Sequence, residues 1–465
     1  MLRLPERLPP AGPRTTRLVA VALALQLVAG LGAVLLVEQP VDAPASSTAS
    51  RARIAPPAAT SNLLDPGGLQ ARAAREIDVR QLLADRAGAL LRRDKDSFLA
   101  VVDPMATALL GRQEALFDAL EEVPLQTWRY RLDITTERPS DRVLDRRYGR
   151  DRWWAPDVAL EYALEGYDDR PTVAEHHLTF VKRDGRWLLG ADDDFESIGL
   201  GTPRALWDRG PVVAERVGNV LVLGRPSARR LLRSVASLTG AAVPRVDAVW
   251  GTAWRRGSVV LVPTSGQEMS DLLGSDSDLS QIAAVATAEL GGGSEEFDPS
   301  GDRILVNPDT FGRLGQLGRR VVLTHELTHV ATRRATGPAV PAWLAEGLAD
   351  YVAYRDIDLP LALSARELRA DVRAGRLPAA LPADGDFDGG NDALAQAYEQ
   401  AWLAVRLLAD VHGQDALLRF YRAIGARRGG AVPATAVQEA LRAELGTTTA
   451  QLVEDWRASL QRDLG

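Results

Sequence analysis

Two histidines four residues apart bracket a glutamate in VVLTHELTHVATRR, residues 321–334. The chain holds only five histidines among 465 residues, so the closeness of His325 and His329 is not explained by composition. On a helix, residues i and i+4 lie one above the other, and two imidazoles so placed can bind one Zn²⁺. Glu326 lies one residue on, where a carboxylate can take a proton from a metal-held water. The neighbours Val322, Leu323, Leu327 and Val330 predict a buried helix. Burying His, Glu and His together is costly unless something binds them. The alternative is a pair of histidines that cap buried polar groups. There is no cysteine, which leaves nitrogen and oxygen as metal ligands and excludes disulfides and a lipidated cysteine anchor.

A catalytic zinc needs three protein ligands and an open fourth position. The spacing H-E-x-x-H-x-x-G-x-x-H is excluded, because Thr332 and Ala335 occupy the glycine and third-histidine positions. Downstream, VPAWLAEGLADYVAY (residues 340–354) predicts a second helix, with Pro341 suited to its first turn. Glu346 and Asp350 share one face of that helix at i, i+4. Taken alone, such a pair reads as two solvated acids.

VVLTHELTHV followed by PAWLAEGLADY resembles the thermolysin-like zinc peptidases (gluzincins), in the peptidase-MA-like branch related to aminopeptidase N, over about residues 204–465. The resemblance implies that Glu346 is the third zinc ligand and that Asp350 orients a histidine ligand. Gly347, which costs about 1 kcal/mol inside a helix, is then expected to allow close approach to the zinc helix. In AQAYEQAWLAVRLLADVHG, Tyr398 takes the place of the family tyrosine that stabilises the tetrahedral intermediate; a core-packed aromatic is the other reading. RILVNP (residues 303–308) takes the place of the family's substrate-pairing edge strand. The aminopeptidase sequence G-x-M-E-N is absent, so endopeptidase action on a peptide or protein substrate is favoured. The competing function is a zinc-containing extracytoplasmic binding or sensor protein without peptidase activity.

The fold class expected to position these residues is α+β, in four segments. Residues 1–38 read as a cytoplasmic tip and transmembrane signal-anchor, because Leu18–Val37 carries no charge and is long enough to span a bilayer. Arg3, Arg7, Arg14 and Arg17 precede it and Glu38 follows, which predicts a single-pass protein with its catalytic domain outside the cell membrane. Signal cleavage near Ala43–Ala45, with secretion, is the alternative. Residues 39–72, rich in Ala, Pro, Ser and Thr, read as a flexible linker. Residues 73–203 read as helices followed by antiparallel strands, with Asp184-Gly185 as a hairpin turn. That order resembles the cone-shaped nuclear transport factor two-like domains, which implies a domain able to hold a ligand or protein partner. His176 and His177 fall on opposite faces of a strand and do not share a metal. Residues 204–465 read as the mainly helical zinc domain with a small sheet. A net charge of −7 offers nothing to nucleic acid. Asp384, Asp386, Asp388 and Gly389 partly match a calcium loop, but Ala395 stands where its bidentate glutamate belongs, so a solvated acidic loop is expected.

Overall fold

The computed structural model describes residues 17–22, 66–138, 141–274, 279, 281–290, 299–388, 390–427 and 433–465. A first strand, β1 (Arg17–Ala22), is followed by a unit that begins with α1 (Pro66–Leu91), α2 (Lys95–Leu99) and α3 (Thr107–Ala119). Helix α1 thus starts inside the segment read as linker. The strands β2 (Leu125–Glu137), β4 (Pro156–Leu164) and β5 (Thr172–His177) form one antiparallel sheet. The strands β3 (Trp153–Trp154), β6 (Thr179–Arg183) and β7 (Arg186–Ala191) form another, reached through α4 (Arg142–Tyr148). Asp184 and Gly185 both have positive φ, 46° and 82°, as a two-residue hairpin turn of this hand requires.

The second unit opens with β8 (Val213–Val217), β9 (Val220–Gly224), α5 (Arg229–Trp250), β10 (Ser258–Val262), α6 (Gly266–Leu273), β11 (Ala284–Leu290) and β12 (Pro299–Val306). With β1 these strands make a six-stranded sheet in the order β1-β11-β12-β10-β9-β8. Strands β9, β10 and β12 run parallel, and the others are antiparallel to their neighbours. Helices α7 (Pro308–Phe311), α8 (Gln316–Thr332), α9 (Ala342–Tyr354), α10 (Leu361–Ser364), α11 (Arg366–Arg373), α12 (Leu394–His412), α13 (Gln414–Gly425), α14 (Pro433–Ala440) and α15 (Thr449–Leu464) complete the chain.

Strand β9, VLVLG, is buried at every residue, the pattern of a strand covered on both faces. Its alternation shows what covers it. Val220 and Val222 pack with α5, α8 and α9 in the core of the second unit, together with Val260 and Val262 of β10. Leu221, Leu223 and Val259 turn the other way, into a cluster with Trp128, Leu160 and Trp207. The sheet is therefore the shared floor of both units. Polar contacts reinforce the junction: Arg303 on β12 makes a buried bidentate pair with Asp168 at 2.7 and 2.8 Å.

Two expectations are corrected here. The transmembrane helix over residues 18–37 is not found. Arg17–Ala22 is a β-strand, antiparallel to β11 with Ala20 opposite Ala286. No helix among the described residues is long and apolar enough to cross a membrane, and residues 23–65 lie outside them. A charge-free run of Val, Leu and Ala meets the demand of a sheet edge for apolar, partly β-branched residues as well as that of a bilayer, so length alone misassigned it. The second correction concerns RILVNP. Its strand β12 is interior, between β11 and β10, and it is β11 that lies nearer the sheet edge.

Candidate metal centre

Helix α8 is buried around most of its circumference, its polar residues Thr324, His325, Glu326, Thr328, His329 and Thr332 included. Buried polar groups need partners, and the threonines find theirs locally. Thr324 and Thr328 donate to the carbonyls of Arg320 and Thr324, each at 2.8 Å. That leaves His325, Glu326 and His329 to be answered from outside the helix.

Helix α9 answers them. The N–H of Ala342, its first residue, donates to Asp384 Oδ1 at 2.8 Å, which places a carboxylate at the positive end of the helix. Asp386 in turn accepts from the N–H of Ala383. The acidic loop read against a calcium site thus spends two carboxylates on backbone donors. Gly347 sets the lateral position of α9. A Cβ there would stand 2.4 Å from the carbonyl oxygen of Ala401 and 2.6 Å from Val405 Cγ2. The expected close approach exists, but it is to α12 and not to the zinc helix. Pro341 caps α9 one residue before its first turn.

The result is a tight triangle of ligand atoms. His325 Nε2 and His329 Nε2 are 3.0 Å apart, and Glu346 Oε2 is 3.1 and 3.2 Å from them. His325 Nδ1 lies 2.7 Å from Asp350 Oδ1. With Asp350 ionised, the shared proton sits on Nδ1 and leaves Nε2 free to ligate. Zinc bonds of about 2.0–2.1 Å at tetrahedral angles put ligand atoms about 3.3 Å apart, so the triangle fits after opening by a few tenths of an ångström. The chemistry of the donor set agrees, two imidazoles and a carboxylate being a donor set that catalytic zinc sites use. Among the described residues this is the one group of three such side chains close enough to hold a metal.

The electrostatics follow from burial. Burial pulls His325 down, but Asp350 and Glu346 outweigh it and hold the imidazole well above its usual range. Burial raises Glu346, yet the pull of His329 and His325 brings it to about 2. His329 is lowered, with burial the main cause. Glu326 is pushed up to about 8 by burial, against the pull of His325. One of its oxygens accepts from the N–H of Ala286 on β11, while Oε2 has no partner. A buried carboxyl with a raised pKa and a free oxygen beside a ligand triangle has the features of a general base.

Tyr398, on α12, is also brought to the site. Its buried ring lies 6.1 Å from that of His325 and meets Phe387 edge-on at 5.2 Å. The next residue, Glu399, accepts from the N–H of Leu368 at 2.6 Å and fixes α12 against the start of α11. Three features of the surroundings escape sequence reasoning. These are the support of Glu326 by β11, the buried Tyr421, whose hydroxyl is 2.7 Å from Thr336 Oγ1, and Arg333. The last carried a signal, since it stands at i+4 from His329 on the ligand face.

The other histidines lie apart from this centre. His177 meets Arg138 at 2.8 Å, and His176 is held at about 4 by burial and by the Arg204 guanidinium. His412 ends α12 and is not part of the ligand group. A comparison of the chain with protein-family models finds no match, and neither does a comparison with curated proteins.

Proposed function

We propose that the protein is a zinc-dependent peptidase that hydrolyses peptide bonds, with endopeptidase action favoured. The observation that carries this reading is the convergence of three ligand atoms within 3.2 Å, beside a buried glutamate with an unpartnered oxygen. His325, His329 and Glu346 would hold the metal, and a zinc ion bound there lowers the pKa of its water to about 7. Asp350 keeps the proton of His325 on Nδ1 and fixes that ring in place. Glu326 Oε2 takes a proton from the attacking water and returns it to the leaving amine, so one group serves both steps. Tyr398, packed against His325, is the residue proposed to donate to the oxyanion.

Glu326→Gln tests the reading. The amide has nearly the shape of the carboxylate but no basic oxygen. Zinc content should remain at the wild-type value, while cleavage of a quenched-fluorescent peptide library falls by about 10²–10⁴-fold or more. Unchanged cleavage would sink the peptidase assignment. Zinc retained in a wild-type protein that cleaves nothing would favour a zinc-containing binding or sensor protein.

A further inference from the structure

The ligand helix passes directly into Arg333, one turn beyond His329. Its guanidinium is buried, with the residue only 6% exposed. Nε donates to Asp302 Oδ1 on β12 at 2.8 Å, but Nη2 is buried with no partner. A charged donor left unpaired in the interior is among the costlier features a fold can carry, and here it stands beside the metal centre. The charge of Arg333 acts on Glu326, His329 and Tyr421. Its anchor Asp302 adjoins Arg303, which pairs in register with Thr287 of β11, next to the Ala286 that supports Glu326. Arg333 is thus fixed between the end of α8 and the strand pair that borders Glu326.

We propose that Arg333 Nη2 donates to a main-chain carbonyl of the bound peptide and so sets the register of the peptide over Glu326. This rests on the peptidase reading and adds a positioning residue to it. A carbonyl fits better than a carboxylate. Asp302 already neutralises the guanidinium, and the charge of Arg333 also acts on the buried Glu326, so a further anion would find its attraction already spent. A carbonyl asks for one donor and brings no charge. Holding Asp302 through Nε while offering Nη2 elsewhere uses the rigid fork that distinguishes arginine from lysine.

The test is calorimetric titration of the full zinc-loaded chain with a peptide hydroxamate and with acetohydroxamate, which has no peptide arm. Arg333→Lys should keep the zinc content. It should weaken the peptide hydroxamate by about 10–100-fold and leave acetohydroxamate within about twofold, the effect of losing one charged hydrogen bond. KM for cleaved peptides should rise in step. Asp302→Asn keeps the guanidinium but frees its Nε, and it should show a smaller loss on the same pair of probes. That variant decides the matter if the lysine protein does not fold. Equal affinity of the wild type and these variants for the peptide probe overturns the assignment, and so does an equal loss on both probes. A loss confined to probes with a free C-terminal carboxylate overturns it in favour of carboxylate recognition. If the wild type cleaves no peptide, the peptidase reading falls and this assignment with it; cleavage with unchanged peptide affinity in the variants sinks Arg333 alone.

Discussion

Each of the two units buries a cluster of charged side chains, and the clusters differ in how they are satisfied. In the first unit, Asp192 accepts from Arg112 at 2.6 Å, from Arg204 at 2.7 Å and from Gln113 at 3.4 Å. Arg86 donates to the carbonyl of Phe98 and to Gln113 Oε1. Donors face acceptors throughout, and only Arg112 Nε is left over. In the second unit, two imidazole nitrogens and a carboxylate oxygen face one another, while Glu326 Oε2, Asp350 Oδ2 and Arg333 Nη2 have no partners. Asp192, Arg86 and Gln113 are as buried as the residues of the second cluster, with Arg112 and Arg204 half-buried beside them, so burial of the central groups does not separate the two. What separates them is whether the chain alone balances the hydrogen-bond ledger. A closed network specifies a fold; the open one is where we propose that a metal and a substrate bind.

The contrast is sharpest under His329→Ala, which removes one of the three proposed ligands. We expect the zinc content of the purified chain to fall from one per chain to none, with peptidase activity lost. Equal zinc in the wild type and this variant would break the comparison. The opposite signature is expected from Asp192→Asn. Breaking a buried ion-pair network by removing one partner costs about 3 kcal/mol or more, which should appear as a lower denaturant midpoint at unchanged zinc content. This change also carries a pH signature. Burial raises Asp192, but Arg204 and Arg112 outweigh it, and its pKa in the folded chain is lowered. Its contribution is therefore present above the unfolded carboxylate value of about 3.9 and is lost as pH falls through the folded value. The variant should flatten the acid limb of the stability curve, and an unchanged limb would show that Asp192 is not paired as described. The smallest effect is expected from Asp350→Asn. Removing the charge that orients His325 should weaken zinc about 10–100-fold, with partial recovery of activity in excess zinc. Unchanged zinc affinity would mean that the carboxylate only fills space.

The candidate site was legible because a zinc ligand set would demand particular side chains at helical spacing, and His325, Glu326, His329, Glu346 and Asp350 do converge. Arg333 was not, because arginine at the C-terminal end of a helix has an ordinary role. Gly347 was read as a close-contact residue but against the wrong partner, since spacing within one helix does not say which neighbour lies behind it. The sharing of one sheet by both units was hidden for a similar reason. VLVLG is apolar at every position, so nothing in it marks the alternation that sends Val222 one way and Leu223 the other. Strand β11, which supports Glu326, has the weak signature AVATAEL, short and rich in alanine.

The glycines around the centre have a consequence for how this protein tolerates change. Gly347 touches the backbone of α12, and Gly425 at the end of α13 stands where a Cβ would lie 1.6 Å from the carbonyl oxygen of Ala335. Gly337 meets the carbonyl oxygen of Gly425 in turn, at 2.5 Å from its own would-be Cβ. These are contacts of main chain with main chain, where no rotamer can give way. In a saturation library, positions 337, 347 and 425 should therefore behave like the ligands themselves, intolerant of every other residue, although none of them has a side chain to do chemistry.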